Sequence, residues 1–120
     1  MEIYIDGSCK GNPGPMRIAA TVPATSFSIV KDVGNGTNNR AEYMALLYAL
    51  IYVKHLKTEE EVAIKSDSSL VVNQVNGRYK VKSSSVKPLY QKALRLLREL
   101  PNVKVEYIPR EENLAGHLLE

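Results

Sequence analysis

Apolar residues at every second position open the chain: Glu2-Ile3-Tyr4-Ile5-Asp6 reads as a strand that stops at a carboxylate. Residues 16–23 and 26–32 read as a second and third strand, and the short Ala24-Thr25 link makes them an antiparallel hairpin. Gly34-Asn35-Gly36 reads as a turn, and Thr37-Asn38-Asn39 offers N-cap side chains for a helix over about 39–56. Met44, Ala45, Leu46, Leu47, Ala49, Leu50, Ile51 and Val53 make that helix apolar nearly all round, so it should be buried. Residues 62–66 form a second apolar run that ends at an aspartate, Asp67. A short helix over about 69–75 comes at once and closes at Asn76-Gly77. A strand that passes directly into a helix predicts a crossover to a parallel neighbour. Ser83-Ser84-Ser85 reads as the cap of a helix over about 86–100, with Pro88 in its first turn and Pro101 as its stop. Val86, Leu89, Tyr90, Ala93, Leu96, Leu97 and Leu100 share one face of it, and Lys87, Arg95 and Arg98 another. Residues 103–109 read as a fifth strand, and a last helix should start at Arg110 and carry His117. The expected order is β-β-β-α-β-α-α-β-α: one α/β domain over 1–120, without repeats or linkers.

Composition narrows the class. A chain of 120 residues with 44% hydrophobic residues suits one hydrophobic core. No apolar run is long enough to cross a bilayer, and the apolar start is too short for a signal peptide. The single cysteine, Cys9, excludes an internal disulfide and fits a reducing compartment, so the expectation is a cytoplasmic protein. Cys9 could be weighed as a nucleophile, but neither His55 nor His117 is near it in sequence. The net charge of +3 is small; its distribution is uneven. Between Asp67 and Glu99 there is no acid, while Arg78, Lys80, Lys82, Lys87, Lys92, Arg95 and Arg98 fall in that interval. Such a segment attracts polyanions. A solvated basic face is the plainer alternative, but the acids stand elsewhere, at positions that look chemical.

Asp6 and Asp67 each end an apolar strand, and sites in α/β sheets gather at the carboxyl ends of strands. If those strands are neighbours, the two carboxylates are adjacent. Glu42, read in the first turn of the buried helix, can point at the same spot, although an acid there also suits the helix dipole. The loop Gly7 to Pro15 is either an ordinary turn or a set of free backbone N–H groups at a phosphate. Three carboxylates in one place repel unless cations neutralise them. An all-oxygen donor set selects Mg²⁺ or Mn²⁺ over zinc, and a pair of such ions suits phosphodiester hydrolysis.

Asp6-Gly7-Ser8…Gly11-Asn12-Pro13-Gly14, Thr37-Asn38-Asn39-Arg40-Ala41-Glu42 and Ser66-Asp67-Ser68 resemble, in order and spacing, the three signature blocks of type 1 ribonuclease H. The stretch Leu70 to Lys82 is similar to short bacterial and archaeal members that lack the inserted basic protrusion. The resemblance covers almost the whole chain. It implies the ribonuclease H-like fold, a mixed five-stranded sheet with helices on both faces. It implies cleavage of the RNA strand of an RNA–DNA hybrid with two metal ions, leaving a 5′-phosphate and a 3′-hydroxyl. Asp6, Glu42 and Asp67 would be the catalytic metal ligands. Contacts to 2′-hydroxyls would fall to Ser8, Cys9, Asn12, Asn38, Asn39 and the segment from Ser69 to Gln74. Thr37 matches a position that helps hold a DNA phosphate, and Arg78, Lys80 and Lys82 would track the phosphate backbone. No obligate protein partner is implied, and a monomer suffices.

The pattern breaks at the carboxyl end. The family's fourth acid stands four residues after the Asn of an Arg-Glu-x-Asn-like segment; here Arg110-Glu111-Glu112-Asn113 has His117 at that distance. Slipping the register by one gives Gly116. Three readings are open: His117 ligates a metal and shifts the preference toward Mn²⁺; the site binds metal poorly and the protein holds hybrids without efficient cleavage; or the residue is an introduced change. The family's mobile His before the last helix is also missing. Ile108-Pro109-Arg110-Glu111 stands there, so product release or acid assistance would fall to Arg110 or Glu111.

Overall fold

The computed structural model describes residues 1–120. Strands β1 (Glu2–Cys9), β2 (Gly14–Val22), β3 (Phe27–Gly36), β4 (Val62–Ser66) and β5 (Val103–Tyr107) form one sheet in the order β3-β2-β1-β4-β5. β1, β2 and β3 are antiparallel neighbours; β4 lies parallel to β1, and β5 parallel to β4. The sheet is therefore mixed, and the crossover expected after β4 is present. Three helices accompany it: α1 (Asn38–Leu56), α2 (Ser69–Val75) and α3 (Lys87–Glu99). They pack on one another, and α1 lies along β1 and β2.

The core is a single cluster. Ile3 and Ile5 of β1, Ile18, Ala20 and Val22 of β2, and Val62 and Ile64 of β4 meet Tyr43, Leu46, Leu50 and Val53 of α1 there. Because strand residues alternate sides, Tyr4 and Asp6 face away from that cluster. Asp6 pairs across with Ala19, which is buried yet outside the main core, so both belong to the second face.

Several boundaries differ from the sequence reading. β1 does not stop at Asp6; Gly7, Ser8 and Cys9 continue it by pairing with Ile18, Arg17 and Met16. Gly34-Asn35-Gly36 is not a separate turn but the end of β3, with Asn35 and Gly36 opposite Pro15 and Gly14. The N-cap of α1 is Thr37, whose Oγ1 accepts from Arg40 N at 3.3 Å, as the local sequence suggests. The helix begins one residue early, so Glu42 is its fifth residue and lies beyond the first turn. Ile51, expected to be buried, is exposed on the outer side of α1. The three serines do not cap α3: Val86 is its N-cap without a side-chain bond, and Ser83 and Ser85 bond each other at 3.0 Å.

The largest departure is the last helix. Residues after β5 form two short 3-10 turns, Arg110–Glu112 and Gly116–Leu119, instead of an α-helix. Asn113 separates them and explains the break. Its side-chain oxygen accepts from Ala115 N at 3.0 Å, offering the backbone a partner that competes with helix formation. The second turn packs against β1 and β2, so a 3-10 layer covers that part of the second face.

Candidate active site

Three elements deliver three carboxylates to one place. In the parallel β1–β4 pair, Ile5 is in register with Ser66, so Asp6 and Asp67 each stand one step beyond it. Asp67 is held in a tight strand-to-helix turn: Ser66 Oγ accepts from Ser68 N at 3.0 Å, and Ser68 Oγ accepts from Val71 N to cap α2 at 3.3 Å. Glu42 arrives from α1. Ligand oxygens of Asp6, Glu42 and Asp67 all lie within 4.8 Å of one another.

Gly7 makes this approach possible. A Cβ there would lie 2.6 Å from Glu42 N and closer still to the Ala41 carbonyl group, so only glycine lets β1 run against the helix backbone. The Gly7 N–H then donates to Glu42 Oε1 at 2.7 Å and aims that carboxylate. The sequence reading places Gly7 in the signature block without a role; its signal is its position directly after Asp6.

Two more residues organise the site. Asn113 is fully buried; its Nδ2 donates to Ile5 O and to Asp67 Oδ2, each at 2.9 Å. It ties the carboxyl end of the chain to β1 and orients Asp67. Arg110 Nη1 donates to Asp6 Oδ2 at 2.7 Å and to Asp67 Oδ2 at 2.9 Å. Neither role is legible beyond the Arg-Glu-x-Asn pattern itself.

The electrostatics result from burial and crowding. Glu42's carboxyl is pushed up to about 8, first by loss of solvent and then by the charge of Asp6, against the pull of the Gly7 N–H. Burial also raises Asp6, opposed by its bond to Arg110. Arg110 is raised by its bonds to Asp6 and Asp67 and stays charged. The donor set is entirely carboxylate oxygen and short of positive charge, which fits a hard divalent cation.

His117 is not brought to this cluster. Its side chain is 60% exposed, with Nδ1 3.7 Å from Glu120 Oε1, and no histidine joins the three acids. The residue that faces the site is its neighbour. Gly116 is buried against the Arg110 guanidinium, where a Cβ would lie 3.2 Å from Cζ and Nη1.

The remaining site residues divide into two groups. Asn12, Thr37, Asn38 and Asn39 line a polar cavity of about 390 Å³ with Ser83, Ser85 and Val86. Asn12 Oδ1 accepts from Asn38 N at 2.9 Å and ties the β1–β2 loop to the start of α1. Ser8 and Cys9 lie half-buried at the end of β1, and Cys9 Sγ donates to Gly36 O at 3.0 Å, a structural bond rather than a nucleophile's setting. Ser69, Arg78, Lys80 and Lys82 are exposed along one stretch. Gln74 departs from the expected contact role. It is 4% exposed, Oε1 accepts from Tyr43 OH at 2.6 Å and Nε2 donates to Lys80 O at 3.3 Å, so both ends are committed inside the protein.

Residues 6–119 match a family model described as reverse transcriptase-like. Bifunctional protein Rv2228c of Mycobacterium tuberculosis is 37% identical over 116 residues, which cover 92% of this chain and 32% of that protein. The chain thus spans less than a third of that relative's length. Ribonuclease H of Prochlorococcus marinus is 34% identical over 115 residues, covering 86% of this chain and 71% of that enzyme. The crystal structure of LC11-RNase H1 in complex with an RNA/DNA hybrid superposes with a TM-score of 0.85 at 34% identity, over 98% of this chain and 91% of that one. Sheet order, acidic cluster and these matches agree: the chain belongs to the type 1 ribonuclease H family.

Proposed function

We propose that the protein is a metal-dependent endoribonuclease that hydrolyses the RNA strand of RNA–DNA hybrids. The observation that carries this reading is the meeting of Asp6, Glu42 and Asp67 from three elements within 4.8 Å. These residues would hold two Mg²⁺ or Mn²⁺ ions. Bound there, the ions supply Lewis-acid activation of water and charge stabilisation at the leaving oxygen. The chain's part is positioning: Gly7 aims Glu42, Asn113 aims Asp67, and the sheet fixes Asp6. Water adds to phosphorus, the bond to the 3′-oxygen breaks, and that oxygen takes a proton, leaving 5′-phosphate and 3′-hydroxyl ends. The polar side chains around the α1 N-terminus and the β1–β2 loop are suited to sugar hydroxyls and phosphate, and the exposed cations from Arg78 to Lys82 to the backbone. The reading includes one ribonuclease H domain over 1–120, acting as a monomer in the cytoplasm; no helix is long and apolar enough to cross a membrane.

Incubation with a hybrid labelled on its RNA strand, with Mg²⁺ or Mn²⁺, tests the proposal. Internal cleavage of the RNA strand is expected, and no cleavage with either ion would remove the enzyme reading. A second reading has its own support in the absence of a fourth carboxylate and the seating of Arg110 on the acid pair. In it the protein binds hybrids with an impaired site. It predicts salt-sensitive binding without turnover, and efficient cleavage by the unaltered chain disposes of it.

A further inference from the structure

Arg110 is the only cation paired with the acidic cluster. One nitrogen, Nη1, serves Asp6 and Asp67 together, through Oδ2 of each. The guanidinium rests on Gly116, where a Cβ would lie 3.2 Å from Cζ and Nη1 and 3.4 Å from Nη2. The missing side chain at position 116 therefore creates the seat. The Arg110 side chain is nevertheless 55% exposed, while Asp6 and Asp67 are 2% and 9% exposed. Its long stem can rotate into water without moving any strand or helix. Asp6 and Asp67 cannot retreat, because sheet pairing and Asn113 hold them.

A group that bridges two ligand oxygens from outside occupies the coordination space those oxygens share. We infer that Arg110 is a built-in latch: it neutralises the acid pair in the metal-free protein and has to leave as divalent ions bind, with Gly116 as its seat. The inference rests on reading Asp6, Glu42 and Asp67 as metal ligands. It assigns Arg110 two opposed effects, holding the acid pair together and weakening the uptake of metal. A residue that only contacted substrate would have neither effect in the absence of nucleic acid.

Calorimetric titration of the full chain with Mn²⁺, without nucleic acid, tests this alongside thermal melting in EDTA. Arg110→Ala should bind the first ion roughly 5–10-fold more tightly, the scale of releasing a partly exposed ion pair, and should melt lower in EDTA. Gly116→Ala keeps the charge and crowds the guanidinium, so it should shift both readings in the same direction by less. It also provides a second test that does not depend on the fold of the arginine variant. Unchanged or weaker Mn²⁺ binding by both variants, with binding by the parent protein intact, overturns the latch and leaves the metal site standing. Failure of parent and variants alike to bind Mn²⁺ overturns the metal site and the latch with it.

Discussion

Replacing Gly7 by Ala tests the packing that brings Glu42 to Asp6. The added Cβ would lie 2.6 Å from Glu42 N, with the Ala41 carbonyl group nearer still. Ordinary carbon contacts are at about 3.5–4.0 Å, so β1 and the start of α1 must separate by roughly 1 Å. The obstruction is helix backbone, which has no rotamer through which to escape. Overpacking of this kind costs ~1–3 kcal/mol, and the rigid obstacle puts this case at the upper end. Separation also stretches the 2.7 Å bond from Gly7 N to Glu42, so the carboxylate loses its aim as well. At ~4 °C per kcal/mol for a chain of this size, the melting temperature should drop by roughly 10 °C. Gly34→Ala is the control: Gly34 has φ +88° but nothing within 4 Å of its Cβ position, so only the backbone preference is lost, about 1 kcal/mol. Melting by circular dichroism and Mn²⁺ titration of both variants give the comparison. If Gly7→Ala melts within a degree or two of the parent and binds Mn²⁺ equally well, close approach is not what assembles the site.

Asn113→Ala removes a buried donor from Ile5 O and Asp67 and an acceptor from Ala115 N; urea unfolding should show a loss of about 2–3 kcal/mol, and Mn²⁺ affinity should fall, whereas a change under ~0.5 kcal/mol would refute the tie. Without metal, stability should fall as pH rises from about 4.5 to about 8, because the folded state keeps a proton on Glu42 that the unfolded chain has already released. Glu42→Gln should flatten that slope in EDTA melts, and a parent protein whose melting temperature rises across the same window contradicts it. Hybrid binding measured across a salt series should weaken steeply, and Lys80→Ala or Lys82→Ala should each reduce the slope by about one; an unchanged slope in both would take the 78–82 segment out of the interface.

The parts of the site legible from the sequence are those fixed by local pattern. Alternation in Glu2 to Asp6 gives the side that Asp6 faces, and the apolar run before Asp67 gives its neighbour strand. Thr37 signals the start of α1, and from there Glu42 is reached by counting. Each error among the boundaries has a non-local cause. Gly34 to Gly36 carry a turn's composition, yet Asn35 and Gly36 stay in the strand because Pro15 and Gly14 are there to pair with them. Ser83 to Ser85 carry a cap's composition, yet their hydroxyls find each other first. Gln74 looks like a surface contact until Tyr43, 31 residues earlier, claims its oxygen.

The carboxyl end is the least legible because two physical effects compound there. Asn113 spends its side-chain oxygen on Ala115 N and its nitrogen on Ile5 and Asp67, which stops the helix implied by the family pattern. The chain then enters a 3-10 turn, with about three residues per turn, so adjacent side chains diverge by about 120°. On such a turn a shift of one position exchanges the site for solvent. Gly116 is thus buried against Arg110 while His117 points outward beside Glu120. Counting along the sequence names His117 as the substitute for the fourth acid, yet it is the neighbouring Gly116 that packs on the guanidinium paired with Asp6 and Asp67. A fourth carboxylate adds a negative charge to a metal site, whereas a guanidinium subtracts one from the same space. Arg110 is thus a counter-ion to Asp6 and Asp67, and the two buried acids are held by attraction where uncompensated carboxylates would repel.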